Sequence, residues 1–418
     1  MCGPGRAVGN TGAVPSTLPE GDPVPVDGSL PPSAADGIDG RTLSIYLHVP
    51  FCATRCGYCD FNTYTAGELG SAASPRSWED AARAEIALAR TTLNRLGDSR
   101  PVSTVFVGGG TPSLVGAGPL TRLLGAVRDE FGLAENAEVT TEANPESTDA
   151  ALLDALRDAG YTRLSLGMQS ASPRVLAVLD RVHTAGRPAQ VVDLARQAGF
   201  PHVSLDLIYG TPGETDAELV DSVRAALATG IDHLSAYSLI VEPGTRMARQ
   251  VAAGLLAAPA EDTLADRYEL VDGLVSAAGL RWYEVSNWST GPDAQCRHNL
   301  AYWRGDDWWG IGPGAHSHVG GVRWWNVKHP ARYAAALAAG RSPGQAREVL
   351  DDDAKHTEAV LLRLRLAEGL PVDLLTAAGR AQLAVERTDG LVDVVDDRAV
   401  LTAAGRLLAD GIALRLLE

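Results

Sequence analysis

The 418-residue chain has no uninterrupted apolar run of the roughly 18 residues that a membrane span needs. Its first residues also lack the basic stretch followed by an apolar one that marks an export signal. Both absences place the expected site of action in the cytoplasm. Basic residues are in deficit, 36 against 52 acidic ones for a formal charge of −16, which argues against a general surface that tracks nucleic-acid phosphates. Cysteine is scarce: five residues, an odd number, too few to staple a chain this long. Three of the five crowd into one short segment, which suggests a metal site in place of a disulfide framework. What remains is 45% hydrophobic and 21% charged, enough apolar material for one large core and a smaller one.

Residues 1–40 are rich in Gly, Pro, Ser and Asp with almost no periodic apolar pattern, so they are expected to form a disordered extension. Short apolar runs then recur at 44–49, 104–107, 137–141, 163–166, 202–207 and 233–239, six candidate buried strands. Helical patterns lie between them, such as 148–159, where Leu152, Leu153 and Leu156 share a face behind a Ser/Thr cap. Four of these patterns end on Gly160, Gly199, Gly230 or Gly279, each followed by an apolar residue, as a left-handed helix cap requires. This alternation predicts an α/β fold with a parallel sheet and outer helices, six units forming a partial (β/α)6 barrel over 41–245. An appended Trp/His-rich layer is expected over 246–345. Residues 346–418, with a helix near 357–367, a ribbon of 391–395 and 399–401 turning at Asp396-Asp397, and a last helix capped by Thr402, predict a winged-helix-like domain.

The clustered thiols are Cys52, Cys56 and Cys59, spaced C-x3-C-x2-C in a loop just past the first strand. Iron–sulfur cubes favour thiolates and usually take four; this loop supplies three. One iron is then open to a small chelator, a role that the amino and carboxylate groups of a methionine moiety fit. S-adenosylmethionine (SAM) bound this way puts its sulfonium near the cluster, where one electron cleaves a carbon–sulfur bond to release a 5′-deoxyadenosyl radical. The alternatives are a structural zinc or inert thiols. Structural zinc wants four ligands, no second cysteine pair exists, and His48 belongs to an extended run.

Chemistry in parallel barrels sits at the carboxyl ends of strands. There the sequence places Gly108-Gly109-Gly110-Thr111-Pro112, Glu142, Gln169 and Asp206. Gly109 and Gly110 allow close approach and offer backbone groups to the methionine end of SAM. Glu142 suits an amino or ribose group, and Gln169, Arg181 and Asp206 suit ribose hydroxyls and a carboxylate. Any one of them alone reads equally as a strand-end cap or ion-pair partner.

At these residues the sequence resembles the radical SAM superfamily, and more narrowly the branch of oxygen-independent coproporphyrinogen III oxidases and HemW heme chaperones. The resemblance runs from Ser44 to Glu418 and rests on Tyr46 with Pro50-Phe51-Cys52, the glycine run, Leu166-Gly167-Met168-Gln169-Ser170, and Asp206-Leu207-Ile208-Tyr209-Gly210. It implies a [4Fe–4S] cluster on Cys52, Cys56 and Cys59, an electron donor for it, and SAM contacts from Tyr46, Gly109, Gly110, Thr111, Glu142, Gln169, Arg181 and Asp206. Two features separate the branches. The decarboxylating oxidase carries a further cysteine two residues after the third, where this chain has Phe61. The segment His298-Asn299-Leu300-Ala301-Tyr302-Trp303 looks like the H-N-x-x-Y-W signature of the heme chaperones. The resemblance therefore implies heme binding and transfer to heme-accepting respiratory proteins, with propionate decarboxylation of coproporphyrinogen III as the alternative.

The aromatics concentrate late: Trp288, Trp303, Trp308, Trp309, Trp324 and Trp325 fall among Cys296, His298, His316 and His318. Flat rings suit a porphyrin slot and His298 or Cys296 its iron, while the plainer reading is a layer that covers the barrel. His316, in the glycine-rich 310–316, is the weaker candidate. The acidic 351–353 and 396–397 make a protein contact a better reading of the C-terminal domain than DNA binding.

Overall fold

The computed structural model describes residues 20–69, 73–181, 184 and 186–418. The six expected strands form as β1 (Leu43–Val49), β2 (Val102–Gly109), β3 (Leu133–Ala143), β4 (Arg163–Gln169), β5 (His202–Tyr209) and β6 (His233–Ser238). They pair in parallel, each with its sequence neighbour. Ile45, Leu47, Val105, Val107, Leu164, Leu166, Val203 and Leu205 are buried against the outer helices, the pattern that right-handed βαβ crossovers enforce.

The Trp/His-rich region is appended by continuing the same sheet at both edges. β7 (Arg281–Glu284) and β8 (Asn287–Ser289) form a hairpin on β6, while β9 (Asp307–Ile311) pairs in parallel with β1. β10 (His316–Val319), β11 (Val322–Asn326) and β12 (Gly344–Val349) extend outward from β9 as an antiparallel ribbon. Among the described residues the sheet has twelve strands in the order 12-11-10-9-1-2-3-4-5-6-8-7, so its edges do not meet and the barrel stays open. β9 joins because its Trp309 and Ile311 are as buried as any core strand residue.

Residues 20–40 depart from expectation. They carry two 3-10 turns, Pro32–Ala35 and Ile38–Gly40, and Asp22 bridges to Arg347 at the outer strand. Backbone pairing to a sheet edge supplies the order that apolar content does not. Residues 1–19 lie outside the described residues. The helix expected at 148–159 is Ala150–Ala159, and its cap is Asp149, which accepts from Leu152 N at 2.8 Å. Gly160, Gly199, Gly230 and Gly279 all have positive φ, as predicted.

The C-terminal part has its own apolar cluster, including Val360, Leu364, Leu383, Val392 and Ile412. Its first helix is Asp352–Arg363, started early by Asp351 as cap, and helix Ala377–Thr388 follows. β13 (Leu370–Pro371), β14 (Val392–Val395) and β15 (Arg398–Leu401) form a small antiparallel sheet. Asp396 and Asp397 both take positive φ in its turn, the twist a two-residue hairpin needs.

Candidate functional site

β1 leads through Pro50 and Phe51 into the cysteine loop, and the loop closes on itself: Cys52 N donates to Tyr64 O at 3.0 Å and Tyr64 N to Pro50 O at 2.8 Å. The His48 ring holds Asn62 O at 2.9 Å, and the Asn62 amide donates to Pro313 O at 2.9 Å and Lys328 O at 2.8 Å. Gly57 is pinned from both sides, its N–H on Leu179 O at 3.3 Å and its carbonyl accepting from Met247 N at 2.8 Å. A Cβ there would lie 2.4 Å from Asp180 Oδ2. Tyr58 packs on the apolar group of Val175, Leu179, Ile208, Leu239 and Met247. The loop is thus fixed by backbone bonds at both ends and its middle, which leaves the thiols free to serve as ligands.

Cys52, Cys56 and Cys59 are free thiols, each partly exposed. Thr111 Oγ1 donates to Cys52 Sγ at 3.8 Å and Arg181 Nη1 to Cys56 Sγ at 3.7 Å. Burial pushes the Cys59 thiol up to about 11 and raises Cys52 as well; binding to iron would displace both protons. Among the described residues no three His, Cys, Asp or Glu side chains converge on a single metal ion. Three thiolates on one loop match a cubane, in which each meets a different iron.

The glycine run answers first to packing. A Cβ on Gly109 would lie 2.6 Å from the His48 ring, and one on Gly110 would lie 2.4 Å from Phe51 O. Gly109 N donates to Glu142 Oε2 at 3.1 Å and Gly110 N to Val49 O at 2.7 Å. Both N–H groups, expected to meet SAM, are therefore committed inside the protein. Glu142 and Asp206 lie within electrostatic reach of one another. Burial, with the Asp206 charge behind it, raises Glu142 to about 8 against the pull of the Gly109 N–H. Burial also raises Asp206 to about 6, although the Ser235 and Ser165 hydroxyls and Arg181 oppose it; Ser165 Oγ donates to both its oxygens at 3.0 Å. Arg181 reaches Gly167 O at 3.2 Å, and its Nε is buried without a partner. Gln169 holds a left-handed φ of 64°, which turns the chain at the end of β4. A Cβ on Gly167 would lie 2.8 Å from both Arg181 Nη2 and Gln169 Nε2, so these two side chains share the space above it. Tyr46 hydroxyl meets His48 Nδ1 at 3.1 Å. Asp206 lies within electrostatic reach of Arg181 and Glu142 of Asp206, so with both carboxyls ionised the group would favour a cationic guest such as a sulfonium.

The two candidate heme ligands of the H-N-x-x-Y-W segment are placed elsewhere. His298 is buried, with Nδ1 on Thr104 Oγ1 at 2.6 Å, Nε2 on Tyr302 hydroxyl at 2.9 Å, and its ring stacked 5.1 Å from Phe106. Cys296 is buried with Sγ 3.6 Å from Glu138 Oε1. Both side chains are thus engaged with protein partners in the structure. Helix Arg297–Arg304 instead acts as a wedge. Glu138 accepts from the N–H groups of Arg297 and His298 at 3.1 and 3.0 Å, which seats the helix start on β3. Spaced four apart, His298 and Tyr302 share the face toward the barrel interior, and Asn299 and Trp303 share the face toward Glu284. The glycines of 310–316 meet protein as well: a Cβ on Gly312 would lie 2.7 Å from His48 O, and one on Gly314 2.6 Å from Asn62 Nδ2. Sequence reasoning missed Gly57 and Asn62; nothing in their spacing marks them, because the partners that pin them to the rest of the fold, Leu179, Met247, Pro313 and Lys328, are distant in sequence.

A cysteine loop after the first strand of an open parallel barrel, with acidic groups at the strand ends, defines a radical SAM protein. The Radical SAM superfamily model matches residues 46–226, and that superfamily implies a [4Fe–4S] cluster and SAM. The chain is 58% identical over 378 residues to "Heme chaperone HemW" of Mycobacterium tuberculosis, covering 90% of this chain and 95% of that one. It is 33% identical over 383 residues to "Heme chaperone HemW" of Escherichia coli, covering 88% and 97%. The chain belongs to the HemW family within the radical SAM superfamily. In fold it is similar to the coproporphyrinogen III oxidase HemN of Escherichia coli, with a TM-score of 0.76, 24% identity and 92% of each chain covered. Among the described residues no helix is long and apolar enough to cross a membrane.

Proposed function

We propose that this chain is a heme chaperone, which takes up heme and passes it to heme-accepting respiratory proteins. The observation that carries this reading is the 58% identity, over nearly the whole of both chains, to a protein named as a heme chaperone. Phe61 supports it: at the place where the decarboxylating oxidase has a further thiol, this chain presents a phenyl ring that is 58% exposed. Free thiols suit a reducing cytoplasm.

In this reading Cys52, Cys56 and Cys59 hold the cluster, and Thr111 and Arg181 stand as donors against two of the sulfurs, which stabilises their thiolate form. Glu142, Asp206, Gln169, Arg181 and Tyr46 hold SAM, with backbone carbonyls of the glycine run as further contacts. When bound, the pair supplies one-electron cleavage chemistry at the sulfonium. Glu142 sheds its proton as the cationic guest enters, and Asp206 is held in place by Ser165 and Ser235. An electron donor for the cluster completes the set of partners.

The test is an anaerobic preparation of the full chain with its cluster. Titrated with heme, it saturates at one equivalent; incubated with coproporphyrinogen III, SAM and reductant, it yields no protoporphyrinogen. Product formed at catalytic turnover would overturn the chaperone reading.

A further inference from the structure

Nine histidines are available to ligate a heme iron, and hydrogen bonding removes most of those described. His48, His202, His233, His298 and His318 each spend ring nitrogens on protein partners, His329 caps its own helix, and His356 lies on helix Asp352–Arg363 of the C-terminal part, which has its own apolar cluster. His316 differs. It opens β10, is exposed, and stands face to face with Trp325 across the β10–β11 pair, their ring centroids 6.0 Å apart and their planes 25° from parallel.

Its surroundings have the three properties that an amphipathic metalloporphyrin dianion requires. The imidazole sits below its usual value, because its ring is partly desolvated and because Lys328 and Arg323 repel a proton there, so its lone pair is available at neutral pH. Lys328, which is exposed, supplies charge for a propionate, while Arg323 is already paired with Glu348 and Glu358. Third, the apolar surface is near: Asn62 grips Pro313 O and Lys328 O, and its side chain lies against Gly314, two residues from His316. Phe61, bonded to Asn62, is therefore carried to this same rim of the barrel mouth, exposed and without an apolar partner in the core.

We infer that His316 is the axial ligand to the iron of bound heme, with Phe61 against the macrocycle and Lys328 against a propionate. This rests on the chaperone reading above and adds to it a place and a ligand. It also puts the cargo beside the cluster loop through Asn62, without using either buried candidate of the H-N-x-x-Y-W segment.

The experiment titrates hemin into the full reconstituted chain and into its His316→Ala and Lys328→Met variants, following the Soret band and its response to added imidazole. His316→Ala is expected to weaken binding at least roughly tenfold, with a shifted Soret band that free imidazole restores. Lys328→Met is expected to weaken it about threefold with the wild-type band shape, as an exposed ion pair would. Both side chains are at the surface, so circular dichroism should confirm an unchanged fold. Wild-type affinity and band in His316→Ala would overturn this inference and leave the chaperone reading standing; failure of the unaltered chain to bind hemin would overturn the reading itself.

Discussion

Glu142 makes SAM affinity depend on pH in a way that can be worked out in advance. Burial and the neighbouring Asp206 raise its carboxyl to about 8, so near neutral pH it is mostly protonated in the free protein. A guest carrying a sulfonium charge favours the ionised form, so binding releases the Glu142 proton and affinity rises with pH until Glu142 ionises unaided. Between pH 6.0 and 7.5 the ionised fraction of such a group grows about 20-fold, and Glu142 lowers the dissociation constant for SAM by the same factor, on top of the proton that the ligand's amine must lose to chelate iron. Asp206, raised to about 6, adds roughly a further factor of two over that range. Anaerobic calorimetry in buffers of different ionisation enthalpy reads both quantities: near pH 7, Glu142 accounts for about 0.9 of a proton released per SAM bound, beyond that of the chelating amine. Glu142→Gln, which keeps an acceptor for Gly109 N, should remove that share of the pH dependence and of the release. A pH-independent constant in the unaltered chain, or undiminished proton release in Glu142→Gln, would refute this reasoning.

Other perturbations follow from the same geometry. Gly57→Ala puts a methyl 2.4 Å from Asp180 Oδ2, itself held by Arg246, and should cut iron incorporation by more than half without unfolding the chain; Gly57→Ala/Asp180→Gly, which relieves the clash at a position already at φ 53°, should restore it, as iron and sulfide assay would show. Tyr302→Phe leaves His298 Nε2 without its partner and should cost about 1–3 kcal/mol in denaturant unfolding while the heme spectrum stays unchanged. Glu85 is buried among Gly312 N–H, the Asn326 amide and the Tyr333 hydroxyl, and burial raises it to about 7. A raised carboxyl stabilises the fold below its unfolded value near 4.5, and that contribution, about 3 kcal/mol, is lost as pH rises through 7. Glu85→Gln should therefore lose stability less steeply between pH 5 and pH 7, as unfolding curves at several pH values would reveal.

The six parallel strands were legible because each is a short, largely buried apolar run, and β4, β5 and β6 each follow a helix that ends on a left-handed glycine. β9 was not, because Asp307-Trp308-Trp309-Gly310-Ile311 carries rings that read as a ligand slot when they are core, and its pairing with β1 spans more than 250 residues. The cysteine spacing pointed to a cluster loop and the strand-end rule gathered Glu142, Gln169 and Asp206, since both depend on local sequence and topology. The committed N–H groups of Gly109 and Gly110 were hidden from sequence, for a glycine reports only that a side chain would clash and not with what. The surroundings of His298 were hidden for a related reason: a histidine in a recognisable segment shows its chemistry, while the Thr104 and Tyr302 hydroxyls that meet its two nitrogens come from a distant strand and the next helical turn.

The claim beneath all of this is that three loop thiols leave one iron of a cubane open to SAM. Mössbauer spectroscopy of the anaerobically reconstituted, iron-57-enriched full chain tests it most directly. The account predicts a [4Fe–4S] spectrum in which added SAM alters one iron site of the four and leaves the other three as they were. A spectrum indifferent to SAM, or a cluster that persists when Cys52, Cys56 and Cys59 are all replaced by alanine, would contradict it.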